Sequence, residues 1–250
     1  GYMGIRSATE ETYLGEKRNF FVAGTFNKFD DNEVTELPNA ADVICFPIEV
    51  NGQEFSLEKG IIRAYNRQLN LKTGELLRTV EWEAPAGEKL KMEFRRIVSM
   101  KELHTVAQKI TVIPLEGSVR LKFLAGIDGT VTNSGVQHFS EGDKRFYDGK
   151  YMQACQTTTE SGIDFVFTQV CDFKADGMPY EMKQLIQMDR RKICCAYACE
   201  LEAGRELVIE KISNVYTSRD RELQGKSVEQ IQKIGLDALK KSSMLGYDTL

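Results

Sequence analysis

Between Tyr65 and Met100 the chain alternates with a period of two, and this pattern constrains the fold more than any other stretch. Two strand-like runs, Tyr65–Leu71 and Glu75–Trp82, flank Lys72-Thr73-Gly74, where glycine can take a positive φ without a Cβ penalty. A third run follows Ala84-Pro85-Ala86-Gly87. In it Leu90, Met92, Phe94, Arg96, Val98 and Met100 share one face, while Lys91, Glu93, Arg95 and Ser99 share the other. That alternation predicts half-buried antiparallel strands. Arg67, Arg78, Arg95 and Arg96 all lie in this segment. Three of them are expected to point outward with their stems on apolar neighbours. Arg96 falls on the apolar face and is expected in a planar pair with a carboxylate.

The rest of the chain repeats the theme. Strands are predicted at 19–27, 43–50, 53–57, 105–113, 119–127, 151–159, 163–173, 181–189, 192–201 and 206–217, separated by Asn51-Gly52, Asp128-Gly129, Ser161-Gly162 and Asp176-Gly177. So many short strands in 250 residues predict two large sheets packed face to face. The segment from Asn133 to Lys150 has no clear period and reads as a long loop. After Arg221 the chemistry changes. Ser227-Val228-Glu229-Gln230 has the form of a capping box, Ile231, Ile234, Ala238 and Leu245 recur at helical spacing, and Gly246 is placed to end the helix. The expected division is therefore a β domain over 1–222 and a linker helix over 223–250. The opening Gly1-Tyr2-Met3-Gly4 is already patterned, which predicts a first strand upstream of it.

Several function classes are disfavoured. A net charge of −4 argues against a nucleic-acid binder. Asp30, Asp31, Asn32 and Glu33 lack the glycine and distal glutamate of a calcium loop. Six cysteines without a C-x-x-C pair, beside only two histidines (His104 and His138), fit small buried hydrophobes in a reducing compartment better than a zinc site, so no metal is expected.

Four segments then stand in a telling order: Ala23–Asn27 with Glu36–Asn39, Arg67–Arg78, Arg95–Met100 and Gly126–Asn133. Together they resemble the N-terminal domain of glycoside hydrolase family 65, which contains inverting phosphorylases for maltose, trehalose, kojibiose and nigerose and related hydrolases. Two departures stand out: Ser7 follows Arg6 where the family has glycine, and Asn70 stands where aspartate is common. The resemblance implies an all-β super-β-sandwich (galactose mutarotase-like) with linker helices leading to an (α/α)6 barrel. That barrel carries the general-acid glutamate and the residues that hold inorganic phosphate, the co-substrate. On this resemblance, no catalytic residue is expected within the 250 residues, and no cofactor. The implied partners are the barrel of the same chain, a disaccharide and a second subunit in a homodimer, in the cytoplasm.

The candidate substrate-contacting residues lie in the 133–150 segment. His138, Phe139, Arg145, Tyr147 and Asp148, with Phe146, combine aromatic faces, a fork of donors and a carboxylate, a set suited to holding a sugar near the acceptor site. The alternative is an ordered surface loop against the linker or a second subunit. Two other classes remain open. An aldose epimerase-like activity would need His104 and His138 in one cleft with a carboxylate. A carbohydrate-binding or oligomerisation module would need neither.

Overall fold

The computed structural model describes residues 1–13, 15 and 17–250. Among them the chain forms sixteen strands and one α-helix. The strands are β1 (Met3–Ile5), β2 (Phe20–Val22), β3 (Ile48–Val50), β4 (Gln53–Glu54), β5 (Ile61–Asn70), β6 (Glu75–Glu83), β7 (Lys89–Val98), β8 (Thr105–Pro114), β9 (Ser118–Asp128), β10 (Phe139–Tyr147), β11 (Tyr151–Thr158), β12 (Asp164–Ala175), β13 (Met178–Pro179), β14 (Lys183–Asp189), β15 (Lys192–Glu202) and β16 (Leu207–Thr217); the helix is α1 (Val228–Leu245). A large sheet runs β10-β11-β12-β16-β8-β7-β6-β5, with β13 paired to β12; a smaller one runs β14-β15-β9-β3-β4. Every pairing is antiparallel.

The two sheets meet face to face over one apolar core. Phe165, Phe167, Ile209, Ile110, Met92 and Trp82 from the large sheet join Leu121, Phe123, Ile193 and Tyr197 from the small one. Phe173 packs on Tyr197 at 4.7 Å between ring centroids, closing the seam. The predicted all-β sandwich is therefore the fold.

Local chemistry explains the joints. The β5–β6 hairpin turns where predicted: Gly74 takes φ 71° and its N–H donates to Asn70 O at 2.8 Å. Asn70 Oδ1 accepts from Lys72 N, the ordinary role of a turn asparagine. The predicted face of β7 is buried at Leu90, Met92, Phe94 and Arg96, but Met100 lies beyond the strand and is exposed.

Strands β12 and β16 are buried on both faces, because α1 covers the side turned away from the small sheet. Leu239 and Tyr247 pack there on Val170 and Ile212, and Ile231 packs on Val166. The capping box at Ser227 forms as predicted, with Ser227 Oγ accepting from Gln230 N and Gln230 Oε1 accepting from Ser227 N. Gly246 ends the helix at φ 71°. The stretch read as a helix linker is thus packed along the sheet.

Two expectations need correction. The segment 133–150 is not one long loop: half of it, Phe139–Tyr147, is β10, an edge strand. Its period is broken by a bulge between Glu141 and Lys144, where Gly142 lies so close to Cys155 that a Cβ would come within 2.9 Å of Cys155 O. The run 43–50 is strand only over Ile48–Val50, because Asp42 Oδ1 accepts from the N–H groups of Ile44 and Cys45 and curls the backbone.

Candidate functional site

Three clusters of polar side chains stand out as candidate sites. The first lies between the sheets. On the inward face of the large sheet, apolar side chains give way to Arg78, Arg96, Gln108, Gln169 and Lys211, each at most 4% exposed. Segments 8–11 and 39–46 cross over them. Arg78 donates Nη1 to Glu11 Oε1 and Nη2 to Glu11 Oε2, each at 2.5 Å, and Nη2 also to Glu10 Oε2 at 2.7 Å. Its guanidinium lies 4.1 Å from the Phe94 ring centroid. Arg96 donates Nη2 to Ala8 O, and its Nη1 is 3.4 Å from Glu10 Oε1.

Burial alone would raise the Glu10 pKa, yet Arg96 and Arg78 overcome it and hold the carboxyl below its usual range. Burial lowers Arg96, against the pull of Glu10. Arg96 has a carboxylate neighbour as expected, but only as an ion contact without a hydrogen bond; the planar, bidentate pair is made by Arg78, where an outward-facing arginine was expected. Arg95 does face outward, and is nonetheless paired through Nε and Nη2 with Glu75.

The same face fastens the neighbouring segment by its backbone. Gln108 Nε2 donates to Ile44 O, Gln169 Nε2 to Val43 O and Lys211 Nζ to Cys45 O, the last at 2.8 Å. Burial lowers the Lys211 pKa. Arg18 Nε donates to Asp42 Oδ2 at 2.8 Å. The acids, amides and cations in this layer are engaged with one another and with backbone, as a clamp that holds chain against sheet.

The second cluster contains the predicted sugar-contacting residues, which the structure separates. His138 is 3% exposed. Its Nδ1 faces Asn27 Nδ2 at 3.0 Å and its Nε2 faces Glu36 Oε2 at 3.2 Å. Asn27 Oδ1 accepts from Glu160 N, Ser161 N and Ser161 Oγ, which fixes the amide with its nitrogen toward the imidazole. Nδ1 is therefore the acceptor, and the ring proton sits on Nε2, donated to Glu36. Asn133 Nδ2 donates to the same Glu36 oxygen at 2.9 Å. Phe139 is buried against Phe165 at 5.0 Å.

Arg145, Tyr147 and Asp148 lie toward the other end of β10. Nine residues of extended chain separate His138 from Tyr147, roughly 30 Å at the usual strand rise. Arg145 Nη2 donates to Asp143 Oδ2. Tyr147 Oη donates to Gln153 Oε1, and Gln153 Nε2 donates to Gln232 O in α1. Asp148 Oδ2 accepts from Lys240 Nζ. One end of β10 is thus tied to the 27–39 turn and the other to α1.

The third cluster is a cleft of about 500 Å³ between α1 and the outer face of the large sheet. Tyr216, Ile234, Ala238 and Leu245 give it apolar walls, and Glu102, Asp237 and Lys241 sit around it. His104 enters from one side, stacked on Tyr216 at 4.0 Å between ring centroids, with the Tyr2 ring tilted against it at 4.3 Å. Its Nε2 is 3.3 Å from Asp220 Oδ2 and 3.8 Å from Glu222 Oε1. Burial beside Asp220 pushes the Tyr216 pKa up to about 12. Sequence reasoning missed this cleft, because its walls meet only when the helix folds back. The two histidines stand in different clusters with no shared partner, so the arrangement an epimerase-like site would require is not formed.

Geometry of this kind defines a class: a two-sheet β domain whose interior polar groups are spent on fastening segments, with its open surface against the helix. The chain belongs to glycosyl hydrolase family 65, as its N-terminal domain, whose family model matches residues 1–250. It is 41% identical to kojibiose phosphorylase of Halothermothrix orenii over its full length, covering 32% of that protein. It is 29% identical to the kojibiose phosphorylase of Escherichia coli and 27% identical to the alpha,alpha-trehalose phosphorylase of Thermoanaerobacter brockii, again over all of this chain and 32% and 34% of those proteins. A solved structure named provisionally as a kojibiose phosphorylase from the human microbiome superposes with a TM-score of 0.84 at 18% identity, over 97% of this chain and 32% of that one, which shows the shared fold. The chain spans about a third of the length of these relatives. Among the described residues no group of histidines, cysteines and acids is arranged to hold a metal, and no helix is long and apolar enough to cross a membrane.

Proposed function

We propose that this chain is the non-catalytic N-terminal domain of a disaccharide phosphorylase, one that transfers a glucosyl group from kojibiose or a related α-glucoside to inorganic phosphate. The observation that carries this reading is the commitment of the buried acids. Glu10 and Glu11, the acids best shielded from water, are locked onto Arg78 and Arg96. An inverting displacement needs one acid to protonate the leaving oxygen and a nucleophile on the opposite face of the sugar; Glu10, held below the usual carboxyl range by Arg96 and Arg78, is a poor proton donor, and both oxygens of Glu11 are taken up by Arg78. The 41% identity to a kojibiose phosphorylase favours kojibiose among the substrates. The six unpaired cysteines favour a reducing compartment such as the cytoplasm.

The role of the domain is then to brace the catalytic barrel. Arg145 and Tyr147 of β10 and Asp148 in the turn after it sit toward α1 and are the part of the predicted set suited to approach that partner; His138 and Phe139 act as internal fasteners. The test compares the full-length polypeptide with the 250-residue chain, using kojibiose, maltose and trehalose with inorganic phosphate and reading release of β-glucose 1-phosphate. Release by the full-length protein, fastest from kojibiose, with none above background from the 250-residue chain, is the expected result. Turnover by the 250-residue chain, or glucose release without phosphate uptake by the full-length protein, overturns the reading.

A further inference from the structure

We infer that the cleft beside α1 and the methionine-bearing rim around it form the seat of the polypeptide that follows residue 250 in the longer protein. This rests on the reading of the chain as the N-terminal domain of a phosphorylase, whose relatives are about three times as long. The end of the described chain is fixed at this place: Ser99 Oγ donates to Leu250 O at 3.1 Å, and Ser99 also accepts from the N–H groups of Lys101 and Glu102 at the cleft's edge. Leu250 itself packs beside Ala107, Ile212 and Tyr247. Whatever follows starts at the rim.

That rim is more apolar than a solvent-facing edge requires. Leu245 lines the cleft and is open to solvent, Met244 beside it in the chain is 79% exposed, and Met100, 78% exposed, and Leu103 flank the lining residue Glu102. A group of exposed large hydrophobes around a concavity marks an interaction surface. The polar groups at the floor of the cleft are directed into the fold: Asn214 and Thr105 are hydrogen bonded to one another at 3.1 Å, and His104 Nε2 points toward Asp220, 3.3 Å away, without a hydrogen bond. A sugar would need convergent free donors and acceptors. Apolar walls of Tyr216, Ile234, Ala238 and Leu245, interspersed with the charges of Glu102, Asp237 and Lys241, suit protein side chains instead.

Methionine oxidation tests this without any substitution. Dilute hydrogen peroxide converts exposed thioethers to sulfoxides, and peptide mass spectrometry reads each one separately. Met178 and Met188, 69% and 47% exposed and on other strands, serve as references. In the 250-residue chain all four should oxidise. In the full-length polypeptide, Met100 and Met244 should slow by at least about tenfold while Met178 and Met188 continue, as burial of an exposed side chain requires. Equal oxidation of all four in the full-length protein overturns the inference. So does protection of Met100 and Met244 in the 250-residue chain that grows with its concentration, which would assign the surface to a second copy. Because the readout is not activity, a protein that docks here yet fails to phosphorolyse kojibiose would refute the proposed function and leave this inference standing.

Discussion

The large sheet has two faces built from the same strands, and they solve opposite problems. On the inner face, Arg78, Arg96, Gln108, Gln169 and Lys211 are buried, and each side chain holds a named carboxylate or carbonyl of segments 8–11 and 39–46. On the outer face, α1 covers β12 and β16 but stands off over Tyr216, leaving a cleft of about 500 Å³ walled by Tyr216, Ile234, Ala238 and Leu245. The difference teaches where this domain tolerates change. A buried ion pair is unforgiving, since removing one partner strands the other in a low-dielectric interior. A half-covered helix face tolerates loss, because water can replace what is removed.

The largest test of that contrast is Arg78→Ala. Leaving Glu11 and Glu10 without their fork should cost about 3–5 kcal/mol, a fall in Tm of roughly 6–20 °C for a chain of this size. A calorimetric Tm within a degree of the unchanged protein would break the comparison. Next is acidity. Glu10 is held below its usual range in the folded state, so the unfolded chain binds the proton more readily. The stability Glu10 contributes is complete above its unfolded value, about 4.3, and is lost as pH falls through the lower native value. Glu10→Gln should therefore lower Tm at neutral pH, by about 2 kcal/mol of stability, while flattening its decline below about pH 4.3. An unaltered slope would place the acid-sensitive groups elsewhere. The smallest effect belongs to the outer face: Ser227→Ala removes the helix cap and should cost about 1 kcal/mol. A loss as large as that at Arg78 would show that the two faces are one cooperative unit.

The long strands could be read from residue order because alternation is a local signal: β7 places Leu90, Met92, Phe94 and Arg96 inward as expected, and β9 alternates along its whole length. Arg78 should have been read alongside Arg96, since it shares a face with Val80 and Trp82 in the same alternation. The edge strand β10 was hidden by its bulge and its charged outward residues, which imitate a loop. Residues 43–47 were mistaken for strand because what shapes them is distant: Gln108, Gln169 and Lys211 lie between 64 and 166 residues away along the chain from the carbonyls they bind. The sugar-contacting set was chosen by chemical kind, and the strand that carries it spread those kinds along its length. The cleft gave no linear signal at all, being a product of how the helix folds back.

Three consecutive residues of β16 join the two faces. Glu210 Oε2 accepts from Tyr247 N just past α1, Lys211 grips Cys45 O across the core, and Ile212 lies under Leu239. Force applied to the helix end is therefore delivered within one peptide unit to the interior clamp, so α1 acts on the sandwich as a lever on a fixed pivot.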